Sequence, residues 1–308
     1  MITSGTLSGR VAVVTGASRG IGKGIALELG AAGATIYITG RARNADTRAL
    51  GTIEQTADEI ARSGATCVAV HCDQADDNQL AALMKQVEAE QGRLDVLVNN
   101  AYPGPEMDDG QWKPYWQSPL GKWRSMIDVG LRSHFVAAVM ATPLLLKTRG
   151  LIVNISSAGS QIYLGSVPYS IGKAGMGRMV KDMSAELRGT GVTAVSLWPG
   201  IVRTELMQNV WRDRPDTVPA VLKMATAHFD VDPWAQLDAR DALQATESPR
   251  FTGRAVSALA ADANVNEKTG RTLAAVLLAD EYGFTDIDGT RPDGFCFRNL
   301  RFWPALAR

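Results

Sequence analysis

Seven short runs of apolar and β-branched residues punctuate the chain, each long enough for one strand. They are "VAVVTG" (11–16), "TIYITG" (35–40), "CVAVHCD" (67–73), "LDVLVNNA" (94–101), "LIVNISS" (151–157), "VTAVSLWPG" (192–200) and "RTLAAVLLA" (271–279). Their apolar residues are nearly continuous instead of alternating with polar ones, so both faces of each strand are buried, as in a parallel sheet covered by helices. The intervals between runs leave room for those helices. In the first, Ile21, Ile25 and Leu29 recur every four residues and draw one apolar stripe. Repeated strand–helix units of this kind wind right-handed into an α/β doubly wound parallel sheet of about seven strands. The sequence shows no internal repeat and no Pro/Gly linker, so residues 1–308 are expected to form a single domain.

Two stretches interrupt the rhythm. After "NNAY" comes a turn-rich segment carrying Trp112, Tyr115, Trp116 and Trp123, and after "PGIVRT" comes a long stretch at about 205–250 with scattered Met, Trp and Pro. Long connections beyond the carboxyl ends of parallel strands are where such sheets build ligand sites. Residues 205–250 are therefore expected to be a substrate-loop insertion, with an aromatic-lined pocket suited to an apolar compound. Packing of the loops or of a subunit interface is the alternative. A tail at about 280–308, with Phe295, Phe297, Phe302 and Trp303, is expected to pack on its own domain or on a neighbour.

Charge and composition exclude several classes. Lys+Arg and Asp+Glu are both 32, so no long-range field favours nucleic acid or an anionic membrane. Cys67, Cys72 and Cys296 make no disulfide framework, and His71, His134 and His228 have no metal-ligand spacing, so no metal is expected and His71, at the end of a strand, is read as a core residue. The apolar stretch at 135–146 contains Thr142 and Pro143 and is too short to cross a bilayer, and "MITSGTLSGR" lacks the apolar core of a signal peptide. A cytoplasmic protein without a membrane span is expected.

The stretch "TGASRGIG" (15–22) follows the first strand and opens the first helix. Gly16 permits a tight turn, Gly20 and Gly22 let backbone approach a ligand, and the helix N-terminus offers unpaired N–H groups to a pyrophosphate. Gly16, Ser18, Arg19, Gly20, Ile21 and Gly22 are thus the candidate cradle of a Rossmann-type dinucleotide site. An NAD site usually ends its second strand in an acidic residue; here Gly40 is followed by Arg41, with Arg43 and Arg19 close by. Guanidinium groups in place of a carboxylate suit the 2′-phosphate of NADP(H), so NADP (NADPH) is expected and NAD disfavoured.

In "VPYSIGK", Pro168 suits a first helical turn, and Tyr169 and Lys173 then lie one turn apart on the same helix face. Tyrosine, with an ordinary pKa near 10, is a weak acid–base catalyst at neutrality. An adjacent ammonium is expected to lower that value.

Together these motifs resemble the short-chain dehydrogenase/reductase family, in its TGxxxGxG-containing branch. The resemblance rests on "TGASRGIG", Asp73 after the third strand, "NNA" at 99–101, "NISS" at 154–157, "YSIGK" at 169–173 and "PGIVRT" at 199–204, in that order. The "NNAY", "DVGLRSHF" and "VPYSIGK" details are similar to the group of dehydrogenase/reductase family member one. The resemblance implies that Asp73 sits against the adenine and that Asn99, with Ala101, stabilises the fourth strand and the cofactor wall. It also implies that Pro199, Gly200, Val202 and Thr204 border the nicotinamide and diphosphate, and that Lys173 bonds the nicotinamide ribose. Tyr169 would donate a proton to a carbonyl oxygen as hydride reaches the carbon, and a serine would hold the same oxygen. Family spacing selects Ser156 and alignment of "ISS" itself selects Ser157; Ser157 is chosen because loop lengths vary more readily than strand ends. Gly130 stands where many members carry an asparagine that holds a water beside the lysine. The expected activity is NADPH-dependent hydride transfer to or from a small-molecule carbonyl or alcohol. A homo-oligomer, dimer or tetramer, would pair through the helices of Gly130 and Tyr169. The competing reading is a nucleotide-binding regulator or interaction protein with little turnover.

Overall fold

The structure is a computed structural model of the 308-residue chain and describes residues 5–41, 50–103, 114–164, 166–213 and 246–292, with backbone alone for 210–213. Arg43, Trp112, His228, Cys296, Phe295, Phe297, Phe302, Trp303 and most of the 205–250 insertion lie outside the described residues. All seven expected strands are present: β1 (Val11–Val14), β2 (Thr35–Gly40), β3 (Cys67–His71), β4 (Val96–Asn99), β5 (Leu151–Ile155), β6 (Thr193–Trp198) and β7 (Thr272–Ala274). They form one sheet in the order β3-β2-β1-β4-β5-β6-β7, every pair parallel. This is the Rossmann-type arrangement, in which the chain direction across the sheet reverses between β1 and β4 and opens a crevice at their carboxyl ends.

Helices cover both faces: α1 (Gly20–Ala31), α2 (Ile53–Arg62), α3 (Asp77–Gln91), α4 (Leu120–Arg124), α5 (Ser133–Thr148), α6 (Val167–Glu186), α7 (Glu205–Asp213), α8 (Pro249–Ala261) and α9 (Ala275–Tyr282). Successive strand residues point to opposite faces, and β1 divides accordingly. Ala12 and Val14 join Ile25 and Leu29 of α1 and Phe251 of α8 in one core, while Val11 and Val13 join Leu83 of α3 and Ala141 of α5 in the other. Local chemistry sets the helix starts. Thr52 and Gln55 form a capping box on α2, Asp76 accepts from Asn78 and Gln79 at the head of α3, and Ser166 accepts from Tyr169 at the head of α6.

Three expectations need correction. The run at 271–279 is a strand only over Thr272–Ala274; at Ala275 it turns into α9, because its Ala and Leu residues suit a helix once the sheet partner β6 ends. His71 is not a core residue: β3 is the sheet edge, and His71 Nε2 meets Glu54 Oε1 at 2.6 Å with 39% of its side chain exposed. The apolar stretch at 135–146 belongs to one helical run, Leu120–Thr148, of 29 residues, whose most apolar 18-residue window has a mean hydropathy of 1.5. By length and composition that run could cross a bilayer; here 44% of its most apolar window is buried, with Ala137, Ala141, Leu144 and Leu145 against the sheet. The run is α-helical at both ends and π-helical over Ser125–Arg132, around Gly130.

The insertion after β6 leaves and returns through a narrow neck. Val202 pairs with Glu247 in a parallel bridge, with Arg203 N–H donating to Glu247 O at 2.8 Å and Glu247 N–H to Ile201 O at 2.9 Å. The buried Glu247 carboxyl accepts from Thr252 Oγ1 at 2.8 Å and from Gly200 N at 3.1 Å. Arg203 donates to Thr246 O at 2.5 Å and faces Asp286 at 3.6 Å. Burial raises the Glu247 pKa from 4.5 to about 8, against the lowering effect of its two donors and Arg203. Between those values the folded chain holds this proton more tightly than the unfolded one, so stability present at low pH is lost as pH rises through the window. Urea unfolding from pH 5 to 8.5 should therefore show wild type losing on the order of 2 kcal/mol relative to Glu247→Gln. Parallel curves for the two proteins would mean that the carboxylate is ionised throughout.

Candidate active site

The crevice is assembled by one hydroxyl and one amide. Thr15, fully buried after β1, donates through Oγ1 to Val98 O at 3.2 Å and accepts from the N–H groups of Asn100 at 3.0 Å and Ala101 at 3.1 Å. Asn100 Nδ2 returns two bonds, to Thr15 O at 2.9 Å and Gly16 O at 3.0 Å. The glycine loop is thereby sewn to the end of β4. Asn99, the residue singled out from the sequence, points away from the loop: its Nδ2 donates to Asn154 Oδ1 at 2.9 Å and His134 O at 3.2 Å, tying β4 to β5 and α5. Asn100 is a site residue that the sequence reading missed, although the second Asn of "NNA" was its visible trace.

Gly22 has a different reason to be glycine from the one the sequence suggested. A Cβ there would lie 2.3 Å from Gly16 O and 2.4 Å from Asn100 Nδ2, so its bareness closes the loop on itself. The head of α1 accepts an anion: the Glu205 carboxylate, from the first turn of α7, takes the Gly20 N–H at 2.7 Å. Arg19, the N-cap residue of α1, makes no side-chain cap of its own. Ser18 O accepts from Thr56 Oγ1 at 3.4 Å, and Ile21 packs against the core beneath. Thr204 Cγ2 lies 3.3 Å from where a Gly20 Cβ would be, so the 199–204 segment lies alongside the cradle. Pro199 and Val202 are buried there, and Gly200 is held by Glu247. Arg41 is exposed directly after β2, where no acidic residue stands among the described residues. Asp73 accepts from Ala75 N at 3.0 Å in the turn after β3. A glycine-lined loop, a helix N-terminus whose Gly20 N–H already bonds a carboxylate, and nearby guanidinium groups are a donor set that fits a dinucleotide pyrophosphate.

The second half of the site comes from β5 and α6. Ser157 Oγ lies 2.7 Å from Tyr169 Oη, and it also accepts from Gly159 N at 3.1 Å. Ser156 Oγ donates elsewhere, to Lys173 O at 2.9 Å. Of the two serines, the structure brings Ser157 to the tyrosine. Gly159 was missed by sequence reading: a Cβ there would sit 2.5 Å from Tyr169 Cε1, so glycine is what lets the ring reach the serine. Lys173 Nζ donates to Ile155 O at 3.0 Å and lies 5.8 Å from the Tyr169 ring centroid.

Burial governs the electrostatics. It pulls the Lys173 ammonium down to about 8. It also raises the Tyr169 phenol above its ordinary value, with only the Ser157 bond opposing. The expected lowering of Tyr169 by its neighbour is therefore not what the protein alone provides, because Lys173 is turned to a backbone carbonyl and desolvation dominates. His134, buried on α5 with Nε2 3.0 Å from Ala101 O, is driven down to about 3 by burial and by the Lys173 charge. Among the described residues no three His, Cys, Asp or Glu side chains group as a metal site.

A family profile described as short chain dehydrogenase matches residues 10–215. The chain is 41% identical over 286 residues to human dehydrogenase/reductase SDR family member 1, covering 92% of this chain and 85% of that protein. It is 34% identical over 206 residues to a 3-oxoacyl-[acyl-carrier-protein] reductase of Synechocystis sp., covering 66% of this chain and 78% of that one. A crystal structure of a metagenomic short-chain oxidoreductase in complex with NADP superposes with a TM-score of 0.62 at 26% identity, covering 87% of this chain and 97% of that one. With the ordered motifs, the sheet order and the Ser157–Tyr169–Lys173 cluster, these matches establish that the chain belongs to the short-chain dehydrogenase/reductase family of oxidoreductases.

Proposed function

We propose that the protein is an NADPH-dependent oxidoreductase acting on a small-molecule carbonyl or alcohol, with Tyr169 as general acid/base. The observation that carries this reading is the 2.7 Å contact of Tyr169 Oη and Ser157 Oγ beside the buried Lys173. The bound cofactor would supply a hydride at its nicotinamide. Gly16, Ser18, Arg19, Gly20, Ile21 and Gly22 would hold its diphosphate side, Arg41 its 2′-phosphate, and Asp73, Ala101, Pro199, Gly200, Val202 and Thr204 the walls around it. In reduction, two hydroxyls orient the carbonyl oxygen. Ser157 bonds it and Tyr169 transfers its phenolic proton to it, so that the oxygen leaves as an alcohol and the tyrosine as tyrosinate. Lys173, cationic below about pH 8, stabilises that anion. In oxidation the same groups run in reverse.

Support for NADP over NAD comes from Arg41 at the end of β2, which suits a 2′-phosphate, and the solved relative was crystallised with NADP. Support for a homo-oligomer comes from an exposed apolar stripe on α5, Phe135, Val139 and Leu146, and from the exposed Ile171 on α6.

Tyr169→Phe should cut NADPH-dependent turnover of a panel of aldehydes, ketones and quinones by at least about 10²-fold while leaving NADPH binding, followed by its fluorescence, intact. Unchanged turnover would sink the catalytic assignment; no turnover in wild type with NADPH still bound would favour the regulator. Arg41→Asp should weaken NADPH binding by about tenfold or more and leave NADH within about threefold; equal losses for both would remove the 2′-phosphate role. For the oligomer, light scattering should give a mass of at least two chains for wild type and one for Val139→Glu. A wild-type monomer would end that proposal.

A further inference from the structure

Tyr102 follows directly on the 99–101 segment and was not singled out by any motif role. Its ring meets both members of the proton-transfer pair. The centroid lies 6.0 Å from that of Tyr169 with the planes at 78°, an edge-to-face contact. Lys173 Nζ lies 5.3 Å from the Tyr102 centroid, closer than the 5.8 Å to the ring of Tyr169. The far end of the side chain is fixed as well: the Tyr102 hydroxyl reaches Met126 Sδ at 3.0 Å, in the π-helical segment that also contains Gly130. Two contacts at the ring and one at the hydroxyl thus define the position of a side chain that is 42% exposed.

The need for such a ring follows from the surroundings of Lys173. The side chain is 8% exposed, and its ammonium donates to a neutral carbonyl, Ile155 O. Desolvation lowers its pKa, and among the described residues no carboxylate contributes. Among the described residues, the titratable groups that face it are Tyr169 on its own helix, Tyr102 from beyond β4, and His134 on α5, which is neutral at ordinary pH. Gly130 adds no side chain: among the described residues a Cβ there would find only Pro103 Cδ, at 3.8 Å. A buried ammonium without an anion is costly. An aromatic face within about 6 Å offsets part of that cost, and more so away from water.

We propose that Tyr102 is a positioning residue for proton transfer: its π face holds the Lys173 ammonium in the buried site, and its edge-to-face contact fixes the ring of Tyr169. The role rests on the reading that Tyr169 and Lys173 carry the proton chemistry. It is separable from that reading because the charge on Lys173 can be observed without turnover.

The test is an NMR titration of the full-length protein labelled with ¹³C and ¹⁵N in lysine, with the Lys173 signal assigned by its loss in Lys173→Arg. Tyr102→Leu removes the π face at similar volume and should lower the Lys173 midpoint by roughly 0.4 to 1.5 units, whereas Tyr102→Phe keeps the face and should stay within about 0.2 units of wild type. If Tyr102→Leu does not fold by circular dichroism, Tyr102→Met makes the same comparison. A midpoint that does not move in the Leu or Met protein overturns the proposal whatever turnover does, as does an equal fall in the Phe protein. A midpoint that moves as expected supports the hold of the ring on the ammonium, while full turnover by Tyr169→Phe would overturn the functional reading, and with it the role in proton transfer, without touching that hold.

Discussion

The mutual bonding of Thr15 and Asn100 is the constraint on which the rest of the site depends. A doubly wound sheet reverses direction between β1 and β4, and nothing in strand pairing requires the loops beyond those strands to stay together. The Thr15 hydroxyl, bonded at once to Val98 O and to the N–H groups of Asn100 and Ala101, and the Asn100 amide, bonded to Thr15 O and Gly16 O, supply that requirement. These groups are mostly withdrawn from water, so an unmade bond would leave a polar atom unsatisfied, and the arrangement is strongly specified. The glycine loop, the wall after β4 and Tyr102 all take their positions from it.

A second constraint is dryness. Tyr169 and Lys173 are both buried, and burial pushes their proton affinities in opposite directions, the phenol up and the ammonium down. The protein alone thus leaves tyrosine protonated, the form that a reduction needs at the carbonyl oxygen. Glu247 shows the same physics in a supporting role: a carboxyl buried at the neck of the insertion, holding the Gly200 N–H through its oxygen. The segment beside the cradle is therefore anchored from the core side and not only by its own backbone.

Much of this was legible in the residues. Near-continuous apolar runs announced a covered parallel sheet because burial of both faces leaves no polar alternation, and the glycines of 15–22 announced the turn between the first strand and the first helix. Tyr169 and Lys173 could be paired on paper because four residues is one helical turn. Boundaries were less legible: the run at 271–279 reads as apolar whether it is strand or helix, and only the end of β6 decides where pairing stops. The length of the Leu120–Thr148 helix was hidden for a similar reason, since Pro143 reads as a breaker but lies within a helix whose other residues pack on the sheet.

The sequence by itself determined the fold class, the place of the glycine loop and the spacing of the tyrosine–lysine pair, since each is carried by local spacing and period. Tertiary structure alone decided which serine meets the tyrosine, Ser157 at 2.7 Å while Ser156 turns to Lys173 O, and why Gly159 has no side chain. It also decided that Asn100 holds the loop while Asn99 holds the strand, and that Tyr102 lies over the lysine. Adjacent residues on an extended backbone point to opposite sides, so neighbours with equal chemistry in the sequence receive different partners only when the surrounding elements close around them.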